Sequence, residues 1–280
     1  MRQGTFGYPG GKSSKASWIL EYFPEHHLYA EPFGGSAGVL VNKPRSTIEV
    51  YNDFNGHCVN FFEVCRDQPE ALEHWVRYMP YSRQLFENYV ETVDDWPDNA
   101  VTRAGRFYYV QCASFGGMGI LSDSPSFKVN KYDTTKKSET ASFKWDSKTP
   151  RIADIAGRFK SVNIEHLDYR DLLEKYDAPD TFFYMDPPYQ VVGDEYYQVE
   201  EGGFDHEEYV GLVTELEGKW LISYNHDVPA GLEDYHVVER DYAASMSPSN
   251  PRKVETLTMN YDPDDEPLFR GVEINPVDEW

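Results

Sequence analysis

A chain of 280 residues, 40% of them hydrophobic, can bury one substantial core, or one core with a smaller inserted domain. Its 48 acidic against 26 basic side chains give a formal net charge of −22, a balance that by itself argues against a nucleic-acid partner. Three cysteines without Cys-x-x-Cys spacing, and eight histidines without a His-x-x-x-His pair, speak against a disulfide framework and a zinc site. No apolar run approaches the roughly 18 residues of a membrane span and no signal-peptide pattern is present, so a soluble, cytoplasmic protein is expected.

Near the start, Phe6-Gly7-Tyr8-Pro9-Gly10-Gly11-Lys12-Ser13 is followed by a helix pattern with Trp18, Ile19 and Tyr22. A phosphate-loop reading would need glycine at position 6, where Phe6 stands. An exposed glycine turn is the plain alternative. Leu28-Tyr29-Ala30-Glu31-Pro32-Phe33-Gly34-Gly35-Ser36-Ala37-Gly38 reads as strand, glycine turn and helix start. Glycine lets a backbone approach a ligand, and a helix N-terminus offers free N–H groups and partial positive charge, which suit a carboxylate. The same residues satisfy the Gly-x-Ser-x-Gly elbow of serine hydrolases, but no His-Gly-Gly-Gly segment accompanies them. Ile48-Glu49-Val50-Tyr51-Asn52-Asp53-Phe54-Asn55 is a second strand ending in a carboxylate. In dinucleotide-binding folds an acid about 20 residues past the glycine turn takes the ribose hydroxyls, because two acceptor oxygens match a vicinal diol. A helix cap is the competing role for Asp53.

From Asp67 to Pro150 the character changes. Helical patterns over Leu72–Tyr78, Leu85–Val93 and Arg103–Cys112 lead to Ser114-Phe115-Gly116-Gly117-Met118-Gly119 and then a polar, lysine-rich stretch. This reads as a domain inserted between the second and third strands of a main sheet. Residues 126–160 carry nine basic and four acidic side chains, with Phe127, Tyr132, Phe143 and Trp145 among them. A basic, aromatic-bearing island on so acidic a chain fits a phosphate footprint. It fits a solvated loop as well.

Arg151–Phe159 reads as a helix returning to the sheet, and Val162-Asn163-Ile164-Glu165 as a strand ending near Asp168-Tyr169. Phe182-Phe183-Tyr184-Met185 has buried-strand character and stops at Asp186-Pro187-Pro188-Tyr189. Prolines fix φ and remove N–H donors, so the strand ends there in a rigid knuckle, at the carboxyl edge where open α/β sheets hold ligands. A carboxylate, an unpaired carbonyl and a stacking ring together suit a planar amino-bearing base; a simple turn is the bland reading. Beyond it lie Tyr196 and Tyr197 in an acidic loop, a helix capped by Asp205, and the strand Trp220-Leu221-Ile222-Ser223-Tyr224-Asn225-His226-Asp227. His226 reads as a hydrogen-bonding scaffold rather than a proton shuttle.

The tetrad at Asp186 resembles the Asp-Pro-Pro-Tyr motif of S-adenosylmethionine-dependent amino-methyltransferases, specifically the Dam-like DNA adenine-N6 methyltransferases. The Tyr8-to-Lys12 segment, Glu31-Pro32-Phe33-x-Gly35, Asn52-Asp53-Phe54-Asn55, Asp168-Tyr169 and the closing Arg252-Lys253-Val254-Glu255 match that family in order. The resemblance covers about 1–64 and 151–261; between them the match is by position alone, with Ser114–Gly117 standing where the family has Phe-Asn-Gly. It implies an α/β fold: a Rossmann-like, seven-stranded, mostly parallel methyltransferase sheet with an inserted, mainly helical target-recognition domain. The catalytic domain would comprise 1–66 and 151–261, the inserted domain 67–150, and an acidic tail 262–280.

The same resemblance implies residue roles. Asp186, Pro187, Pro188 and Tyr189 would act on the base. Tyr8, Lys12, Pro32, Phe33, Gly34, Gly35, Ser36, Asp53, Phe54, Asp168, Tyr169 and Asp186 would hold S-adenosyl-L-methionine, Asp53 at its ribose and Asp168 with Tyr169 at its adenine. Asp168 as a cap of the following helix is an equal alternative. Lys128, Lys131, Lys136, Lys137, Lys144, Lys148, Arg252 and Lys253 are the candidate DNA contacts. The implied activity is transfer of a methyl group to N6 of a flipped adenine in double-stranded DNA, with no metal. A cognate restriction nuclease is a further candidate partner, and a monomer or weak dimer is expected. Cytosine-N4 or RNA methylation, and a non-catalytic DNA-binding relative, remain alternatives.

A saline cytoplasm would reconcile the charge with a DNA partner, since repulsion is screened within about 3 Å at 1 M salt. A chain adapted in that way loses its structure in dilute buffer. Circular dichroism along a salt titration checks this, and full stability without salt sinks the idea.

Overall fold

The computed structural model describes residues 4–122, 125–129, 140–188, 204–225, 228–242 and 253–265. Seven strands form one sheet: β1 (Leu28–Glu31), β2 (Ile48–Asn52), β3 (Val162–Glu165), β4 (Thr181–Met185), β5 (Lys219–Asn225), β6 (His236–Tyr242) and β7 (Lys253–Met259), in the order β3-β2-β1-β4-β5-β7-β6. The first five pair in parallel, and β7 runs antiparallel to both β5 and β6. This is the seven-stranded, mostly parallel α/β sheet that the resemblance implied.

Alternation along the strands divides the core. Tyr29, Tyr51, Phe182, Tyr184, Leu221, Leu257 and Met259 face one apolar cluster. Ala30, Val50, Phe183, Met185, Trp220 and Ile222 face the other. Both faces are covered, so β4 is buried at every position and reads as a continuous apolar run. The second face is covered by α8 (Tyr169–Tyr176), through Leu172 and Leu173, and α9 (His206–Thr214), through Tyr209 and Val213.

The first face is covered by α1 (Ala16–Ile19) and by the helices between β2 and β3. These are α2 (Gly56–Asp67), α3 (Pro69–Tyr78), α4 (Arg83–Glu91), α5 (Ala100–Ala113), α6 (Ala141–Asp146) and α7 (Thr149–Phe159). Ring packing ties them together: Phe62 stacks on Phe159 at 4.3 Å, Phe61 on Tyr108 at 5.0 Å, and Trp145 meets Tyr109 edge-on at 4.9 Å. The helix starts follow local chemistry. Asn55, Ser82, Asn99 and Thr140 each accept from a backbone N–H of the first turn, and Pro69 and Pro150 open α3 and α7.

The chain reverses its direction across the sheet between β1 and β4, since β2 and β3 lie to one side of β1 and β5 to the other side of β4. The crevice beyond the carboxyl ends of such a pair is where an open sheet takes a ligand. Asp186 follows β4 there, and Pro32 follows β1.

One expectation is corrected. No α-helix begins after the glycine turn: residues 35–39 are turns, followed by a short 3₁₀ segment at Leu40–Asn42. Gly35 at φ +48° and Ala37 at φ +54° both take left-handed backbone, which no right-handed helix accommodates. The argument for a helix-terminus anion site at Ser36 therefore falls.

Candidate active site

A cavity of about 320 Å³ opens at this crevice. Its walls include residues from five places in the sequence: Tyr8 and Lys12; Pro32, Phe33, Gly34, Gly35 and Ser36; Asp53 and Phe54; Asp168 and Tyr169; and Asp186 and Pro188. Every expected cofactor residue thus borders one space. Phe33 and Tyr169 lie 5.4 Å apart, with Phe204 closing the same aromatic corner at 5.8 and 5.3 Å. Phe54 stands on the rim with 58% of its surface exposed.

Asp186 is the most heavily bonded carboxylate of the cavity. Lys12 Nζ donates to its Oδ1 at 2.7 Å and to its Oδ2 at 2.8 Å, and Ser223 Oγ donates to Oδ1 at 3.0 Å. Tyr184 hydroxyl, two residues back on the same face of β4, lies 3.1 Å from Ser223 Oγ. Burial alone would strip the Lys12 proton, yet the Asp186 and Glu255 carboxylates outweigh it and hold this ammonium well above its ordinary range. Glu255 Oε1 is 3.4 Å from Lys12 Nζ, and its other oxygen pairs with Lys15. A side chain that reading from the start of the chain alone would pass for a phosphate-loop lysine is thus held by two carboxylates.

The glycine turn is locked from beneath. Gly35 N–H donates to Asp53 Oδ2 at 2.6 Å, and Tyr51 hydroxyl donates to the Gly35 carbonyl at 2.7 Å. Asn55 N–H donates to Asp53 Oδ1 at 2.7 Å. Asn55, not Asp53, caps α2 by accepting from His57 N–H at 2.9 Å. Burial pushes the Asp53 carboxyl up to about 6 despite those two backbone donors. Nearby Glu31, at the end of β1, is pushed up to about 8 by burial, with Tyr29 hydroxyl donating to it at 2.6 Å.

Asp168 does cap α8: its Oδ1 accepts from Arg170 N–H at 2.9 Å and its Oδ2 from the Arg170 guanidinium at 2.9 Å. It also borders the cavity, so capping and lining coexist.

The helices between β2 and β3 meet the segment that leads into Tyr8 through the Ser114–Gly119 loop. A Cβ on Gly7 would stand 2.7 Å from Gly117 Cα, and Gly117 itself holds φ +73°, so this backbone crossing needs glycine on both sides. Phe115, in that loop, exposes 72% of its surface. Lys128 joins the same loop, its N–H donating to the Ala113 carbonyl at 2.7 Å. Lys144 is on α6, and Lys148 immediately precedes α7. The basic island is smaller than its count of charges: Arg158 is 1% exposed and forks onto Glu49, and Arg151 donates to the Gly4 carbonyl. Tyr189, Lys131, Lys136, Lys137, Arg252, Tyr132, Tyr196, Tyr197 and His226 lie outside the described residues, as does the Lys253 side chain and the tail beyond residue 265.

Ser223, Tyr184, Glu255 and Lys15 were not picked out in the sequence. A charged residue at an inward strand position was the available signal for Glu255, which alternates with Leu257 and Met259 on one face of β7. Among the described residues no cluster of His, Cys, Asp or Glu has metal-binding geometry, and no helix is long and apolar enough to cross a membrane.

The family model described as D12 class N6 adenine-specific DNA methyltransferase matches residues 8–229. The matched span runs from Tyr8 through the cavity-lining segments to beyond β5, and ends before β6 and β7. No curated protein matches the chain.

Proposed function

Because the chain belongs to the D12 class N6 adenine-specific DNA methyltransferase family, we propose that it moves the methyl group of S-adenosylmethionine to N6 of an adenine turned out of double-stranded DNA. The carrying observation is Asp186 at the end of β4, fixed by Lys12 and Ser223 on the wall of the cavity at the β1/β4 crevice.

The residues present fit the cofactor. Aromatic faces at Tyr8, Phe33 and Tyr169 beside the carboxylates of Asp53, Asp168 and Asp186 suit a molecule that joins a purine, a ribose and a cation. Asp53 would accept from the ribose diol, and Asp168 with Tyr169 would hold the adenine. When bound, the cofactor supplies an electrophilic sulfonium methyl group.

The chain's own part is positioning. Exocyclic N6 is a poor nucleophile because its lone pair is delocalised into the ring. The Asp186 carboxylate and the Pro187 carbonyl would accept its two hydrogens, favouring pyramidal nitrogen with the lone pair free; once the nitrogen–carbon bond has formed, one of those hydrogens would leave as a proton to water. Tyr189 would stack on the base. Alignment of this kind supplies roughly 7–11 kcal/mol in well-oriented reactions, against a few kcal/mol for extruding the base.

Lys128, Lys144 and Lys148, with Lys131, Lys136, Lys137, Arg252 and Lys253, would contact phosphates, and the exposed Phe115 offers a stacking face. A high-salt cytoplasm, base extrusion and a partner nuclease belong to the same reading. Nucleoside mass analysis of duplex DNA after incubation with labelled S-adenosylmethionine tests it, N6-methyladenine being the expected product. Label on cytosine N4 or on RNA would displace it, and a protein that binds DNA but not the cofactor would make it a non-catalytic relative.

The Asp53 carboxyl gives a pH dependence. Its folded value, about 6, lies above the ordinary 3.8. The folded protein therefore takes up this proton first, so ionising Asp53 costs stability above pH 6 and nothing below the unfolded value. Ligand binding runs the other way, because only the ionised form accepts both diol hydrogens. Cofactor affinity is expected to hold from pH 8 to about 6 and then fall, approaching tenfold per pH unit. Calorimetric titration over that range checks it; a flat profile down to pH 5 would remove Asp53 from the ribose.

A further inference from the structure

Asp186 has a difficulty as an acceptor for N6. From Lys12 and Ser223 alone, three hydrogen bonds already fall on its two oxygens, two from Lys12 and one from Ser223. An ionised carboxylate offers about four lone-pair sites. The Lys12 ammonium lies across both oxygens and competes there with an incoming amine. Lys12 is only 4% exposed, so it cannot retreat to water. Taking a buried ammonium off its carboxylate without another anion leaves an uncompensated charge, the costly way to break a buried ion pair.

Glu255 supplies the second anion. It is 1% exposed, and its Oε1 accepts no hydrogen bond from any described residue. That oxygen is 3.4 Å from Lys12 Nζ, close enough for the ammonium to reach by a small rotation of its end. Its other oxygen is held by Lys15, so the carboxylate is anchored while Oε1 stays open. Glu255 keeps this place because β7 pairs with β5 and sets Glu255 opposite Asn225, two residues along from Ser223.

We propose that Glu255 is a positioning residue for methyl transfer: its Oε1 receives the Lys12 ammonium when the adenine amine takes that ammonium's place on Asp186. The ammonium shift itself moves no proton. Lys12 stays charged throughout, Asp186 stays an anion free to accept from N6, and the interior keeps its charge balance. The inference rests on the function proposed above.

Three variants separate this role from a merely structural one. Glu255→Gln keeps the shape and removes the anion; kcat is expected to fall roughly tenfold to a hundredfold, with cofactor affinity unchanged. Lys15→Arg keeps a cation on the other oxygen and leaves Oε1 to Lys12, so turnover should stay within a few-fold of the parent. The double variant Lys15→Gln/Glu255→Gln removes one charge of each sign, restoring neutrality and guarding against a Glu255→Gln protein that fails to fold. It should remain as slow as Glu255→Gln alone. Single-turnover methylation of duplex DNA, with melting temperature and cofactor titration in parallel, reads all three. A double variant that recovers parental kcat would show that Glu255 only balances Lys15, and would overturn the inference. Glu255→Gln with parental kcat would do the same. A parent enzyme that puts no methyl on adenine would overturn the proposed function and this inference together, whereas the first two outcomes leave that function standing.

Discussion

Asp186→Ala is expected to reduce methyl transfer by about a hundredfold to a thousandfold, the scale seen when a preorganised group at the reacting atom is removed. The change deletes the acceptor for N6 and the partner of Lys12 at once. The fold should survive, because Lys12 keeps Glu255 at 3.4 Å and Asp186 lies beyond the last residue of β4, contributing nothing to the sheet ladder. Asp186→Asn is the sharper variant. It preserves size and can still accept one hydrogen bond, but it places an NH₂ group against the Lys12 ammonium or the adenine amine, both of them donors. Single-turnover transfer and a thermal melt together check the pair. Ordinary turnover in either protein would remove the mechanism, and a melting temperature reduced in step with the activity would make Asp186 a structural residue instead.

The second large effect falls on the glycine turn. A Cβ on Gly34 would stand 2.2 Å from Tyr51 Cε2 and 2.9 Å from the Asn52 carbonyl oxygen. The Tyr51 ring has nowhere to go: it is fully buried, packs on Phe62 at 4.8 Å and Phe159 at 5.7 Å, and spends its hydroxyl on the Gly35 carbonyl. The turn must therefore lift off the sheet. That would break the 2.7 Å bond from Gly34 N–H to the Asn52 carbonyl and pull Gly35 N–H away from Asp53. Gly34→Ala is expected to cost about 1–3 kcal/mol of stability through overpacking. The loss of cofactor affinity should be larger, about a hundredfold, since a displacement near 1 Å suffices for that. Calorimetry and a melt measure both. Parental affinity in Gly34→Ala would mean that the turn does not touch the ligand.

Much of this arrangement was legible before any coordinates. The apolar run Phe182–Met185 read as a buried strand, and the prolines after Asp186 as its end. Alternation then places Phe182, Tyr184 and Asp186 on one face. Asp53 was the ribose candidate from its distance past the glycine turn, and its place on the cavity wall follows from β2 lying beside β1. The helix expected after Ser36 failed for a local reason, because left-handed backbone at Gly35 and Ala37 is not visible in a pattern of glycines. The basic island was overcounted for a non-local one: Arg158 looks like its neighbours in the sequence, but α7 buries it against Glu49 of β2.

Taken alone, the sequence determined which chemistry is present: the knuckle that ends β4, the order of the motifs, and the family they identify. Only the tertiary structure decided which charges meet. Lys12 and Asp186 are 174 residues apart and Lys15 and Glu255 are 240 apart, so no periodicity along the chain relates them. They are joined by strand order, which sets β7 beside β5, and by the burial of Lys12 and Glu255, which brings an ammonium and a carboxylate from distant parts of the chain against each other.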